Sequence, residues 1–236
     1  MLAKLGGFCE NGNSMNGTWL LIESSGRTAR VGLARDGIVV CSRTLDETRR
    51  LARDLAPAVG ELLQEDGIGP KDVDGVMVSV GPGSYTGLRV GITAAKAFAY
   101  STGCKLIAVP TFAAIALHAP DCNAWVIADA LQGLIYRQRY SHGAAVDELR
   151  IETAAEALAS VPSEVWLTGP GLATYKLNDA GLVAEPSLEN LLRAGSLIQS
   201  VSREALFALE PLYLRGSSAE EKAKANEPRP EAAVRQ

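Results

Sequence analysis

A glycine-rich stretch, Gly81-Pro82-Gly83-Ser84-Tyr85-Thr86-Gly87-Leu88-Arg89, joins an apolar run at 76–80 to a helical pattern at 84–100. The apolar run predicts a buried strand, and the glycines allow the backbone to turn sharply into the helix. Unpaired N–H groups in a first helical turn, together with the helix dipole, can hold an anion or accept a capping side chain. The stretch therefore predicts a strand–loop–helix unit whose candidate phosphate-binding residues are Gly81, Gly83, Ser84, Thr86 and Arg89.

The stretch differs from the common phosphate-binding and nucleophile motifs. It has no Gly-Lys-Ser/Thr and so is not a P-loop, and Thr86 stands where a dinucleotide fingerprint needs its third glycine. Pro82 stands two residues before Ser84, where a nucleophile elbow needs glycine. The residues alone therefore leave open a phosphate site, a capped helix or, for Arg89, a salt bridge in a helix–helix contact.

The helix after this stretch carries a stripe of small residues spaced four apart: Gly87, Gly91, Ala95 and Ala99. Such a stripe lets another element approach the helix backbone closely. Two alternatives are open, because the stripe can pack on the sheet of its own domain or on a helix of a partner.

Outward from this unit, the first half of the chain alternates strand and helix patterns. Asp36-Gly37 separates two strand-like runs and predicts a tight hairpin turn. Pro57 predicts a kink or a break in the helix at 46–66. The predicted strands are 19–22, 29–34, 38–45, 76–80 and 106–109, and the predicted helices are 46–66 and 84–100.

The second half repeats this order in a weaker form, with strands at 124–128, 134–140 and 165–168 and helical segments at 153–160, after Gly171 and at 188–201. A mixed sheet that occurs twice predicts two related lobes. We therefore expect a lead-in at 1–17, an amino-terminal lobe at 18–114, a smaller lobe at 115–216 and a solvated tail at 217–236; Met15 is an alternative start.

Composition excludes several classes of function. The 236 residues include 23 Lys and Arg against 27 Asp and Glu, a formal charge of −4, so the chain has no global positive field for nucleic acid. The four cysteines form no C-x-x-C pair, and no apolar run reaches the ~18 residues of a membrane helix. We expect a cytoplasmic protein without a zinc site or a redox dithiol.

The long glycine stretch, continued to Ile92, resembles the TsaB (YeaZ-like) family of tRNA threonylcarbamoyladenosine biosynthesis proteins, non-catalytic relatives of the TsaD transferase. The resemblance covers 18–215 and nearly everything but the tails. Its other matching segments are Leu20–Ser25, Val109–Thr111, Ile127–Ala130, Leu167–Gly171 and Glu210–Arg215.

The resemblance implies a two-lobed actin-like ATPase fold (ASKHA, ribonuclease H-like), an α/β fold with duplicated mixed sheets flanked by helices. In that superfamily an Asp at the end of the first strand of each lobe lies near the nucleotide phosphates. Glu23, followed by Ser24, and Asp129 occupy these places here, and Glu23 departs from the family's usual Ile-Asp-Thr. Gly169 and Gly171 resemble the second glycine loop. ATP or ADP with Mg is therefore a possible ligand, and a capped loop or simple turn is the alternative.

The resemblance also implies a partner surface, because in TsaB relatives the two long helices of the first lobe form a bundle with a second copy or with TsaD. A bulky residue at Gly91 or Ala95 should then abolish the complex and leave the monomer folded. The residues expected at this interface are Leu51, Leu55, Leu62, Gly87, Leu88, Gly91, Ala95 and Ala99.

The function implied is that of a non-catalytic subunit that binds and activates TsaD, which modifies the adenosine next to the anticodon of tRNA. The TsaE ATPase binds the pair, and tRNA is contacted only through the complex. His118 and His142 lack the His-x-x-x-His spacing of the metal-binding paralogue, so no metal site is predicted. The alternative is a small-molecule kinase or ATPase that uses Glu23 and Asp129.

Overall fold

The computed structural model describes residues 15–45, 51–119, 123–141, 144–161, 165–177 and 181–214. The predicted tail at 217–236, most of the lead-in at 1–17, the first residues of the helix predicted at 46–66 and His142 lie outside these ranges.

The first lobe is built on a five-stranded sheet in the order β3-β2-β1-β4-β5. β1 is antiparallel to β2 and parallel to β4, and β4 is parallel to β5. Asp36 and Gly37 both have positive φ, at 50° and 83°, as the predicted two-residue hairpin turn between β2 and β3 requires. The strands are β1 Thr18–Glu23, β2 Ala29–Arg35, β3 Ile38–Leu45, β4 Gly75–Ser79 and β5 Lys105–Val109.

The second lobe repeats the arrangement. Its central strand β6 is antiparallel to β7 and parallel to β10, which is in turn parallel to β11, and β7 pairs with both β8 and β9. The predicted duplication of mixed sheets is therefore confirmed. The strands are β6 Asn123–Asp129, β7 Leu134–Ser141, β8 Ala144–Ala145, β9 Arg150–Thr153, β10 Trp166–Thr168 and β11 Gly181–Leu182.

Helices flank both sheets. α2 begins after Ser84, whose Oγ accepts a hydrogen bond from Gly87 N at 3.2 Å, and ends at Gly103 with φ 77°. Of the kink or break predicted at Pro57, the break is wrong. The helix α1 continues through this exposed position, where the carbonyl that loses its helical partner can face water. The helices are α1 Leu51–Glu65, α2 Tyr85–Thr102, α3 Thr111–Ala116, α4 Ala154–Ala159, α5 Gly171–Thr174 and α6 Leu188–Gly195, with a 3-10 turn at Pro70–Asp72.

The first sheet is covered on both faces. α1 and α2 pack on one face around Leu55, Leu62 and Ile92, and α6 packs on the other face against Trp19 and Met77. The chain after α6 also returns to the first lobe, where Leu206 is buried in its core. Residues 188–214 therefore pack with the first sheet, although they fall within the predicted second lobe at 115–216. No described helix is long and apolar enough to cross a bilayer.

Candidate functional site

The backbone amides of Gly81, Ser84 and Gly87 donate hydrogen bonds within the protein itself. Ser84 N donates to Ser25 O at 2.7 Å, and Gly81 N donates to Thr111 Oγ1 at 3.1 Å. Gly87 N is taken by the Ser84 side chain. The amides of Gly81 and Ser84 are thus already paired and do not support the predicted phosphate contact, whereas the phosphate-binding role of Gly83 and Thr86 stays a prediction.

The glycines are required because the loop after β1 packs directly on them. A Cβ added at Gly83 would lie 2.4 Å from Ser25 O, and one at Gly87 would lie 2.0 Å from Ser24 O. The Ser24–Ser25 loop thus fills the space at the start of α2 that the sequence suggested for a phosphate.

Glu23, at the end of β1, is fully buried and serves this same loop. Its Oε1 accepts hydrogen bonds from Ser25 N at 2.7 Å and from Ser25 Oγ at 2.5 Å. Its Oε2, like Ser24 Oγ, is buried without a partner among the described residues. Burial raises the pKa of Glu23 to about 7, against the lowering effect of the Ser25 hydrogen bonds. The carboxyl group therefore holds its own loop beneath the surface, where a bound nucleotide would not reach it.

In the second lobe, Asp129 caps a turn. Its Oδ1 accepts from Leu131 N at 2.8 Å and from Tyr175 Oη at 3.2 Å. This bonding supports the capped-loop alternative and leaves Glu23 and Asp129 in separate local networks. Within the described ranges, no three His, Cys, Asp or Glu side chains gather as a metal site.

The second glycine loop is also tightly packed. Gly169 has φ 115°, and a Cβ there would lie 2.3 Å from Ile127 O. A Cβ at Gly171 would lie 3.0 Å from the same oxygen. Both glycines thus allow the turn after β10 to approach β6, which is the simple-turn alternative.

Arg89 is held between two tyrosine rings. Its guanidinium carbon lies 4.1 Å from the ring centroid of Tyr85 and 5.6 Å from that of Tyr213, and its Nε donates to Tyr213 Oη at 2.9 Å. The hydrogen bond to Tyr213 is the main reason that the Arg89 pKa is raised. Among the described residues Arg89 forms no salt bridge, and its contact with a phosphate stays a prediction.

The small-residue stripe packs on its own sheet, so its assignment to a partner is corrected. A Cβ at Gly91 would lie 2.1 Å from Ser24 Oγ, and Ala95 and Ala99 are 0% and 4% exposed. Leu51 is partly buried against the same core. The other residues assigned to the interface are buried in the first lobe as well: Leu55, Leu62, Gly87 and Leu88.

An open apolar groove of about 480 Å³ lies beside the stripe, between α1 and α2. Its floor includes Leu20 and Ile22 of β1, and small side chains on both helices keep it wide. The residues along its walls include Ala56, Val59, Gly60, Ala94, Ala97 and Phe98. The two long helices therefore present an unfilled apolar surface, and of the residues predicted at the partner interface Leu55 lines it.

The signal for this groove was present in the sequence. Ala94 and Ala97 on α2, and Ala56 and Gly60 on α1, are small residues at helical spacing. Because α2 carries small residues on two adjacent faces, periodicity cannot decide which face meets the sheet and which stays open.

Fold and site together define an α/β protein with duplicated mixed sheets, whose glycine loops are packed against its own backbone. The family of TsaD, tRNA N6-adenosine threonylcarbamoyltransferase, matches the chain over residues 44–220. The chain belongs to this family, and within it the chain is TsaB-like (YeaZ-like).

Similar proteins agree with this assignment. The tRNA threonylcarbamoyladenosine biosynthesis protein TsaB of Escherichia coli is 28% identical, with 85% of this chain and 95% of that protein aligned. TsaB of Bacillus subtilis is 31% identical over 53% of this chain, and the chain spans only 56% of that protein. An uncharacterized protein of Mycobacterium tuberculosis is 30% identical over 84% of this chain and 92% of its own length.

Solved structures support the fold. The structure described as YeaZ from Pseudomonas aeruginosa has a TM-score of 0.68 at 22% identity, covering 84% of this chain and 100% of that one. A second Pseudomonas aeruginosa structure, described as similar to peptidase YEAZ, has a TM-score of 0.71 with the same identity and coverage.

Proposed function

We propose that this chain is a non-catalytic subunit in the synthesis of N6-threonylcarbamoyladenosine in tRNA, and that it binds and activates the TsaD transferase. The observation that carries this proposal is the open groove between α1 and α2. Family membership supplies the pathway, because the relatives named TsaB are described as threonylcarbamoyladenosine biosynthesis proteins.

The groove suits a helix from a partner. Its apolar floor and small wall residues allow a helix to approach closely and to bury apolar surface on both sides. A partner bound in this way is stabilised in one conformation, which can raise its activity although this chain supplies no reacting group. TsaE would bind the assembled pair, and a second copy of this chain would compete for the same groove.

The alternative, a small-molecule kinase or ATPase, needs phosphate donors and carboxylates that face a ligand. The amides of Gly81, Ser84 and Gly87 are paired within the protein, and Glu23 is fully buried. This arrangement supports the non-catalytic reading. ATP and magnesium added to the isolated protein should therefore give no turnover above background, whereas turnover that is lost in Glu23→Gln would favour the enzyme.

A matched pair of substitutions tests the groove. Gly60 lines the groove, and a Cβ added there meets no described atom within 4 Å, so Gly60→Arg should fold and fill the groove with a charged side chain. The neighbouring Glu61 instead pairs with Arg43 at 3.5 Å, on the β3 side of α1, so Glu61→Arg is the control.

Affinity for purified TsaD, measured by titration calorimetry, should fall at least about thirtyfold in Gly60→Arg and stay near the wild-type value in Glu61→Arg. Modified tRNA from a reconstituted reaction should fall with it. Equal affinity of Gly60→Arg and the wild type would refute the groove as the binding surface. If the chain binds TsaD tightly but does not raise the amount of modified tRNA, its role in the complex is structural and not activating.

A further inference from the structure

Residues 201–214, which we call the strap, lie along one face of α2. At one end of the helix the ring of Tyr85 stacks on Tyr213 with centroids 4.8 Å apart, and at the other end Tyr100 meets Phe207 edge-on at 5.2 Å. The order of contacts is reversed, so the strap runs antiparallel to α2. Tyr85 and Tyr100 are separated by about 22 Å along the helix axis, so the strap covers most of its length.

Two cations of α2 hold the strap between these aromatic pairs. Lys96 Nζ donates to Phe207 O at 2.8 Å and to Leu209 O at 3.0 Å. Arg89 Nε donates to Tyr213 Oη. Hydrogen bonds from a charged donor are stronger than neutral ones, so these bonds help fix the strap in register with the helix.

The strap is also tied to the sheet and to the glycine stretch. Val201 N donates to Leu106 O of β5 at 2.7 Å, and Leu212 N donates to Val80 O at 2.8 Å, directly after β4. Leu206 is 5% exposed within the core under α2. One segment thus links two strands, the start of α2 and its outer face.

On the side of the first sheet, α2 packs through a stripe of small residues and through Ile92. There the helix meets β1 and its following loop through Gly87, Gly91, Ala95 and Ala99, which have no side chain beyond Cβ. Interdigitating side chains are what fix the axial position of a packed helix. Ile92, buried in the core of the first lobe, supplies such a contact with the sheet, and the side chains at 85, 89, 96 and 100 supply further contacts with the strap.

We propose that the strap fixes α2 in the position in which the groove receives its partner, with Arg89 and Lys96 as positioning residues. This inference rests on the proposed function, because the groove residues Ala94, Ala97 and Phe98 lie on the same helix as the residues that contact the strap. It also gives a role to the segment from Glu210 to Leu214, which has no place in the groove itself.

The test compares variants of the full chain for affinity to purified TsaD, thermal unfolding and amide hydrogen exchange. The Arg89→Ala/Lys96→Ala double variant should bind about tenfold more weakly, with faster exchange in α2 and the strap and unchanged exchange in β6 and β7. Arg89→Lys should not restore affinity, because lysine lacks the planar group that stacks between the two rings. Leu172→Ala, which destabilises the second lobe, should leave affinity unchanged.

Affinity within about twofold of the wild type, together with faster exchange in the strap, would overturn the inference. If the double variant fails to fold, Tyr213→Ala removes one contact of the strap with α2 and should also weaken affinity for TsaD. Unchanged affinity of Tyr213→Ala would contradict the inference. Gly60→Arg is measured in parallel. If Gly60→Arg loses affinity for TsaD and the strap variants keep it, the strap inference is wrong and the groove proposal stands. If Gly60→Arg binds TsaD normally, the groove proposal is wrong, and the strap inference that rests on it is wrong as well.

Discussion

Glu23 forms no salt bridge with a described residue, and burial raises its pKa to about 7, against an ordinary value of 4.5 and the weaker lowering effect of Arg30. The folded protein therefore binds a proton more tightly than the unfolded chain does. The stability that this proton contributes is complete below pH 4.5 and is lost as the pH rises through about 7. Glu23 thus makes the first lobe less stable in mildly alkaline solution.

Glu23→Gln should remove this dependence, since glutamine is neutral at every pH and keeps an oxygen for Ser25. Between pH 4.5 and about pH 8, the wild type should lose about 3 kcal/mol of unfolding free energy relative to the variant. Urea denaturation of both proteins across this range measures the difference. A difference that does not change with pH would show that Glu23 does not titrate there.

Gly87 and Gly60 are both interior residues of helices but have opposite surroundings. Gly87→Ala should lower the unfolding free energy by about 2 kcal/mol, because the added methyl group meets the backbone oxygen of Ser24. Gly60→Ala should raise it by about 1 kcal/mol, because alanine favours the helix and no described atom obstructs it. Thermal or urea unfolding measures both changes. Stabilisation by Gly87→Ala would contradict the close packing of the loop after β1.

Single residues in a sequence predict local backbone geometry but not contacts between distant segments. The strand–loop–helix unit and the tight turn at Asp36-Gly37 could be predicted, because local backbone geometry requires those residues. The contact of Gly87 and Gly91 with Ser24 could not, because it joins segments about 60 residues apart and periodicity reports only that the two glycines share a face. A bulky residue at Gly91 should consequently destabilise the monomer as well as any complex.

At the scale of elements, α6 illustrates a similar limit. Its amphipathic pattern predicts a helix, but nothing local indicates which of two similar sheets it covers. Leu191 is fully buried between α6 and the first sheet, against Trp19 and Met77. The fold class was therefore predictable from the order of elements, and the assignment of residues 188–214 to the first lobe was not.

Leu191→Ala should lower the unfolding free energy by about 3 kcal/mol through the cavity that it leaves. Amide exchange should accelerate in β1, β4 and β5 more than in β6 and β7. Leu167→Ala, in the core of the second lobe, is the control and should give the reverse pattern. Faster exchange mainly in the second sheet after Leu191→Ala would contradict the packing described above.

For the whole molecule, charge limits what the chain can bind alone. With 23 basic and 27 acidic residues it lacks the excess of cations that draws proteins to a phosphate backbone. The isolated chain should bind tRNA with a Kd weaker than about 100 μM at physiological salt, whereas its complex with TsaD should bind more tightly. Filter binding at two salt concentrations measures this. A micromolar Kd for the isolated chain, weakening steeply with salt, would contradict an indirect role for tRNA.

The return of residues 188–214 to the first sheet has a consequence for biosynthesis. The five strands of that sheet leave the ribosome long before the helix and strap that cover it, with the whole second sheet made in between. The apolar side chains of β1 and β4 that face α6 are therefore shielded only after residues 188–195 have been synthesised. A nascent chain that stops before α6 would leave this face of the first sheet exposed to chaperones and proteases. An incomplete copy would therefore be marked by the segment that was synthesised first.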